Sequence, residues 1–138
     1  MNEIENEVWQ TVYRQLDSIF SNDVLAYQET TAQDLSLYEW FVTPNRQDGL
    51  PFHLFMIEHG WAGTVEAYRY DLMNKRLQLY GDTAIVTYTF MLSQVIDGAI
   101  RHRSHNESRV LVRGEAGWQI VHVHKSPGWA APYSAGVS

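Results

Sequence analysis

The stretch GWQIVHVHKS, residues 117–126, sets two imidazoles two positions apart and an ammonium directly after them. On a strand successive side chains alternate faces, so His122 and His124 share one side and Lys125 takes the other. Two imidazoles are half of a metal site. A third ligand would have to come from His102, His105 or a carboxylate. H-x-H alone is a weak signal, and neither a metal nor a cofactor is expected.

The ammonium gains interest from the preceding strand, which carries Arg109. If Gly117 takes the left-handed position of a three-residue loop, Gly114 faces Trp118 and Arg109 falls opposite Val123. Arg109, Leu111, Val121, Val123 and Lys125 then share one face. Val110, Val112, Trp118, Ile120, His122 and His124 share the other, and a slip of one residue would exchange the two sets. In the chosen register a guanidinium and an ammonium converge near the end of a sheet. Two buried cations are costly unless an anion compensates them. Either Glu107 or Glu115 or solvent meets them, or the pair lines a pocket for a small acidic molecule.

Three more residues join that candidate site. His53, in PFHLFMIEHGW, can donate to a carboxylate or act as a base. Trp61, between Gly60 and Gly63, is a core anchor or a lid. Tyr88 could bring a phenol, as could Tyr13 or Tyr38. Isomerase chemistry would need a carboxylate base in the cavity facing such a phenol. Asp34 and Glu39 lie near the first strand, but nothing in the sequence places them in a cavity. No serine–histidine or lysine Schiff-base arrangement is present.

Helices come first in the chain. Ile4, Val8, Trp9, Val12, Leu16, Ile19 and Phe20 recur every three or four residues, and Asn2 with Glu5 fits a capping box. Ser21-Asn22-Asp23 ends this helix and caps a short second one, VLAYQE. LSLYEWF (35–41) reads as a strand and TPNRQDGLP as a loop. Pro51 suits the first turn of the helix that carries His53 and Trp61. From Val65 the pattern turns to long β-branched runs, with a bulge or bend at Asn74-Lys75 and a turn at YGD. Asp97-Gly98 gives the chain's strongest hairpin signal. Helices followed by long antiparallel strands predict an α+β cone, with helices on one face of a bent sheet and a partner subunit on the other.

With 138 residues and no cysteine, one domain spanning 1–138 is expected, without disulfides or thiolate chemistry, and with a loose tail from about 127. The net charge of −6 and the scattered basic residues speak against nucleic acid as a partner. No apolar run is long enough to span a bilayer. The acidic start MNEIENEVWQ does not read as a secretory signal, so a cytoplasmic location is expected.

Two spacings carry a family resemblance: F-H-x-F-x-x-E-x-x-W, filled by Phe52, His53, Phe55, Glu58 and Trp61, and E-[ST]-R-V…G-x-W-Q-I-V-H-x-H-x-S, from Glu107 to Ser126. Over about residues 4–128 the chain resembles the association (hub) domain of calcium/calmodulin-dependent protein kinase II. That domain belongs to the nuclear transport factor 2-like superfamily, alongside ketosteroid isomerases and polyketide cyclases. The resemblance implies a bent-sheet fold, homodimers that can build larger rings, and a pocket able to hold a carboxylate. It assigns the pocket arginine to Arg109, the basic residue after H-x-H to Lys125, the helix histidine to His53 and the loop tryptophan to Trp61. A further family arginine falls on Met91, so a less basic pocket is expected here. No kinase motif is present and no phosphotransfer is implied. The alternative carried by the same superfamily is a small isomerase, lyase or cyclase, with His53 as base and Arg109 holding an enolate.

Overall fold

Asn2 opens the chain's first helix by closing the expected capping box. Its side chain accepts from the Glu5 amide at 2.8 Å, and Glu5 reaches back to the Asn2 amide at 3.3 Å. In the computed structural model, which describes residues 2–59 and 67–128, this helix is α1 (Glu3–Ser21). Asn22, with φ of 55°, turns the chain out of it. Asp23 then caps α2 (Val24–Thr30) by accepting from the Ala26 amide at 3.1 Å. Two strands follow, β1 (Thr31–Glu39) and β2 (Thr43–Asp48), and then α3 (Leu50–Glu58), which has proline in its first turn. Four strands complete the fold: β3 (Ala67–Tyr80), β4 (Thr83–Ile96), β5 (Ala99–Gly114) and β6 (Gly117–Pro127).

The six strands form one sheet in the order β2-β1-β6-β5-β4-β3. The expected antiparallel sheet is in fact mixed, because β1 lies parallel to β6. TPNRQD, expected as a loop, is the edge strand β2. It is short, polar and interrupted by Pro44, features that suit an unpaired edge and hide it from a pattern search. β1 starts four residues earlier than LSLYEWF and ends at Glu39, leaving Trp40 and Phe41 in the following turn. Asn74 does mark a bulge: the β3 register shifts between Met73 and Arg76, and φ at Asn74 is 54°. Asp97 and Gly98 both have positive φ and join Ile96 to Ala99, as a type I′ turn requires.

The last hairpin corrects the predicted register. Gly114 faces Gly117 and Arg113 faces Trp118, with no extra residue in the loop. The extra residue is Val121, where the ladder shifts between Leu111↔Ile120 and Val110↔His122. Arg109 therefore still falls opposite Val123. Trp118 and Ile120 are buried on the Leu111 side and do not share the face of His122 and His124 as expected. A bulge of one residue has flipped the faces midway along β6.

One face of the sheet holds the core. Val8, Trp9, Val12 and Leu16 of α1 pack on Ala84, Val86, Tyr88, Phe90, Leu92, Leu111, Ile120 and Val123. Each such aliphatic side chain contributes roughly 1.5–3 kcal/mol by leaving water. Tyr27, Leu50 and Ile57 join α2 to α3 on the same side. The opposite face carries Ile85, Thr87, Thr89, Met91, Ser108 and Val110, which remain partly exposed. None of the described helices is long and apolar enough to cross a membrane.

Candidate functional site

Glu39 is where the site begins. It follows Leu35 and Leu37 at two-residue spacing on β1, so the pleat sends its carboxylate into the core, where it is 1 % exposed. The parallel register puts Lys125 beside it, and the Lys125 ammonium lies 2.7 Å from Glu39 Oε2. On the other carboxylate oxygen His53 closes in from α3, with Nε2 at 3.1 Å from Oε1. An ionised carboxylate only accepts, so that imidazole nitrogen carries the proton. The His53 ring is buried and stacks on Tyr27 of α2, 12° from parallel.

A second carboxylate lies deeper. His105, Glu107 and Arg109 occupy alternate positions of β5 and all face inward. Arg109 Nη1 donates to Glu107 Oε1 and to the Tyr88 hydroxyl, and Tyr88 itself donates to Glu107 Oε1 at 2.6 Å. Tyr88 lies directly across the ladder from Glu107. His105 Nε2 meets the other Glu107 oxygen at 2.6 Å, and the Lys125 ammonium is 3.9 Å from it. From α1, Gln15 accepts from Arg109 Nε at 2.9 Å and donates to Thr31 at 2.8 Å.

These contacts fix the protonation states. Burial alone would raise the Glu39 carboxyl, but the Lys125 ammonium and the hydrogen bonds from His53 and Lys125 outweigh it and hold it at about 2. Burial likewise opposes ionisation of Glu107, yet Arg109, Lys125 and His105 keep it far below the usual carboxylate range. Burial and the neighbouring Glu107 push the Tyr88 phenol well up, and burial does the same to Tyr27, so both stay neutral. The Arg109 guanidinium is desolvated, but Tyr88 and Glu107 hold its proton more tightly than usual. Two cations and two carboxylates thus balance in a buried cluster.

The cluster reaches the surface at Lys125, whose side chain is 10 % exposed. The Lys125 ammonium lies 5.4 Å over the ring of Phe41, and Trp40 packs edge-on against His105 at 5.3 Å. Both aromatics stay substantially exposed, at 39 % for Trp40 and 44 % for Phe41.

Of the residues singled out from the sequence, His53, Tyr88, Arg109 and Lys125 converge here, while Trp61 lies outside the described residues. His122 and His124 stand on the other face of the sheet, and no cluster of three or more metal-ligating side chains occurs among the described residues. Met91, expected to make the pocket less basic, also lies off the cluster: it alternates with Phe90 and Leu92 and turns to the outer face. Sequence reasoning missed Glu39, His105, Gln15 and Tyr27 as members. It offered Glu107 only as a pairing partner for the cations. Glu39 had a usable signal, since it continues the Leu35–Leu37 alternation, and so did Glu107 and His105 at two and four residues before Arg109.

A model of the calcium/calmodulin dependent protein kinase II association domain matches residues 4–129. The chain belongs to this association-domain family. Among solved structures, the CaMKII hub of S. rosetta is 27 % identical, with a TM-score of 0.78 over 88 % of this chain and 94 % of that one. A CaMKII hub homology domain from Chlamydomonas reinhardtii is 22 % identical, with a TM-score of 0.79 over 89 % of this chain and 97 % of that one. A nuclear transport factor 2-like protein from Salmonella enterica serovar Typhimurium is 20 % identical and covers 98 % of this chain and 96 % of its own, with a TM-score of 0.78. The last two likenesses speak to fold. This association domain therefore has the nuclear transport factor 2-like architecture, with a buried ionic cluster between its helices and its sheet.

Proposed function

We propose that this association domain is a self-assembling module without phosphotransfer activity. It pairs with a second copy across the outer face of its sheet, and the dimer is the unit from which a larger ring can be built. The observation that carries the reading is the asymmetry of the sheet. One face is filled by the described helices, whereas the other presents Ile85, Met91 and Val110 among threonines and serines, only partly buried. Apolar area of that kind on a long sheet favours coverage by a second surface. Membership of an association-domain family supports the same conclusion. In this reading the chain is one domain and works in the cytoplasm.

The module also holds a small carboxylate-bearing molecule at the mouth of its cluster, with Lys125 as the first contact and His53, Arg109, Tyr88 and Trp61 as further candidates. Support comes from the convergence of His53, Lys125, Arg109 and Tyr88. Because Glu39 and Glu107 already balance the two cations, a ligand carboxylate competes with Glu39 for Lys125. Affinity is accordingly expected near millimolar, about −4 kcal/mol. The test is a thermal-shift titration with acetate and succinate. The native chain should gain a small rise in melting temperature. Lys125→Met should lose it, and Glu39→Gln, which removes the carboxylate nearest the ammonium, should bind at least about tenfold tighter, roughly 1.4 kcal/mol. Equal responses from all three chains, or none from any, would contradict the ligand site.

The isomerase or lyase reading has less behind it. A base must be poised near the working pH, whereas Glu39 is held at about 2 by Lys125 and His53 against the opposing effect of burial. His53 already donates to that carboxylate, and Arg109 is occupied by Glu107, Tyr88 and Gln15.

A further inference from the structure

The two histidines that the buried site does not use form a group of their own. His122 and His124 lie on the outer face of β6, with ring centroids 6.4 Å apart. Both rings contact Tyr38 of the parallel neighbour β1, at 6.4 Å and 5.0 Å. Ser36 Oγ bonds His122 Nδ1 at 2.8 Å, which fixes that ring's orientation. Across the antiparallel ladder on β5, His122 faces Val110 and His124 faces Ser108. Val110 in turn faces Ile85 of β4. The imidazoles therefore adjoin the apolar strip of the proposed pairing face.

Charged groups reach them from the edge side of the sheet, where Asp48 of β2 lies directly across from Ser36. From β2, Arg46 acts on His122 as a like charge, and its own carboxylate partner is Asp48 at 2.8 Å. β1 contributes Tyr38 and, two residues before Ser36, Asp34. The outward residues of β5 from Ser104 to Val112, and of β4 from Thr83 to Val95, include no carboxylate. A two-fold interface covers this face with a second copy of the same face. A protonated imidazole buried against the β4–β5 strip of a second copy would meet apolar side chains and hydroxyls and no acid from those two strands, the outward carboxylate Asp71 lying beyond them on β3 opposite Met91. Burying a charge without a partner is strongly unfavourable.

We infer that His122 and His124 make pairing across the sheet pH-sensitive: copies associate while both rings are neutral and separate when the rings are protonated. The inference rests on the sheet-face reading above. Its sign follows from linkage, since the associated state binds fewer protons than the free one. Association is complete above the free rings' titration range and is lost as pH falls through it. Even in the isolated chain, burial and the neighbouring His124 already depress His122.

The test is sedimentation velocity on the full chain at pH 7.5 and pH 5.5 in constant salt, with far-UV circular dichroism at both values. For the native chain the dissociation constant should rise by at least about tenfold at the lower pH while the dichroism holds, one proton released per imidazole being enough for that. A chain carrying His122→Gln and His124→Gln should change by less than about threefold over the same interval. His102→Gln, which alters an outward imidazole at the far end of β5, should keep the native response. Native association equal at both pH values would overturn the switch alone, as would an unchanged pH response in the double variant. So would a loss of mass that coincides with a loss of fold. A native chain that is monomeric at pH 7.5 would instead remove the sheet-face reading beneath it.

Discussion

Arg109 is 2 % exposed, and its charge is tolerable there because Glu107, Tyr88 and Gln15 all face it. Removing one member of such a set strands the others. Arg109→Met should destabilise the fold by roughly 3–5 kcal/mol, because Glu107 keeps its burial and loses its main counter-charge. Arg109→Met combined with Glu107→Gln strands no charge and should recover most of that loss. Urea denaturation midpoints of the two chains decide the matter, and equal midpoints would mean that the pair is not coupled. At this scale the sequence told half the story. Two converging cations were readable from strand parity on β5 and β6. Their buried counter-charges were not, because Glu39 meets Lys125 across 86 residues of chain and His53 arrives from a helix whose approach no local pattern specifies.

The elements were legible where their signals are local. The Asn2–Glu5 cap, the Asp23 cap, the Asn74 bulge and the Asp97-Gly98 turn each depend on a few adjacent residues, and all form as read. Asp97 holds φ at 51°, a left-handed conformation that disfavours a Cβ but that aspartate, asparagine and glycine accept. Asp97→Ala should therefore cost about 1 kcal/mol, whereas Asp97→Gly should be nearly neutral. Urea midpoints would show it, and equal losses from both substitutions would argue against the I′ turn. Two features stayed hidden for a physical reason. β2 is polar because it is an edge, so it lacks the alternation that announces a strand. The Val121 bulge replaces the bulge expected in the loop. Arg109 thus kept its predicted partner although Trp118 and Ile120 changed faces.

For the whole molecule, the order of helices and long strands was enough to give the α+β class, and the parallel β1–β6 pair was the main topological surprise. Among the described residues, the sheet so formed has one face committed to the core and one that no helix covers. A chain that merely folded and stayed alone would be expected to make the second face uniformly polar. Here it carries Ile85, Met91 and Val110 instead, beside the two imidazoles that would tie association to pH. The buried cluster lies on the opposite side, so the proposed pairing and the proposed ligand site would use different surfaces. Val110 faces both Ile85 and His122, so it stands in the middle of the proposed contact. The most direct measurement is the sedimentation mass of the native chain and of Val110→Asp at pH 7.5, with circular dichroism on both. The native protein should have a whole multiple of the single-chain mass, and the folded variant the single-chain mass. A native protein that sediments as one chain, or a folded variant with undiminished mass, would contradict it.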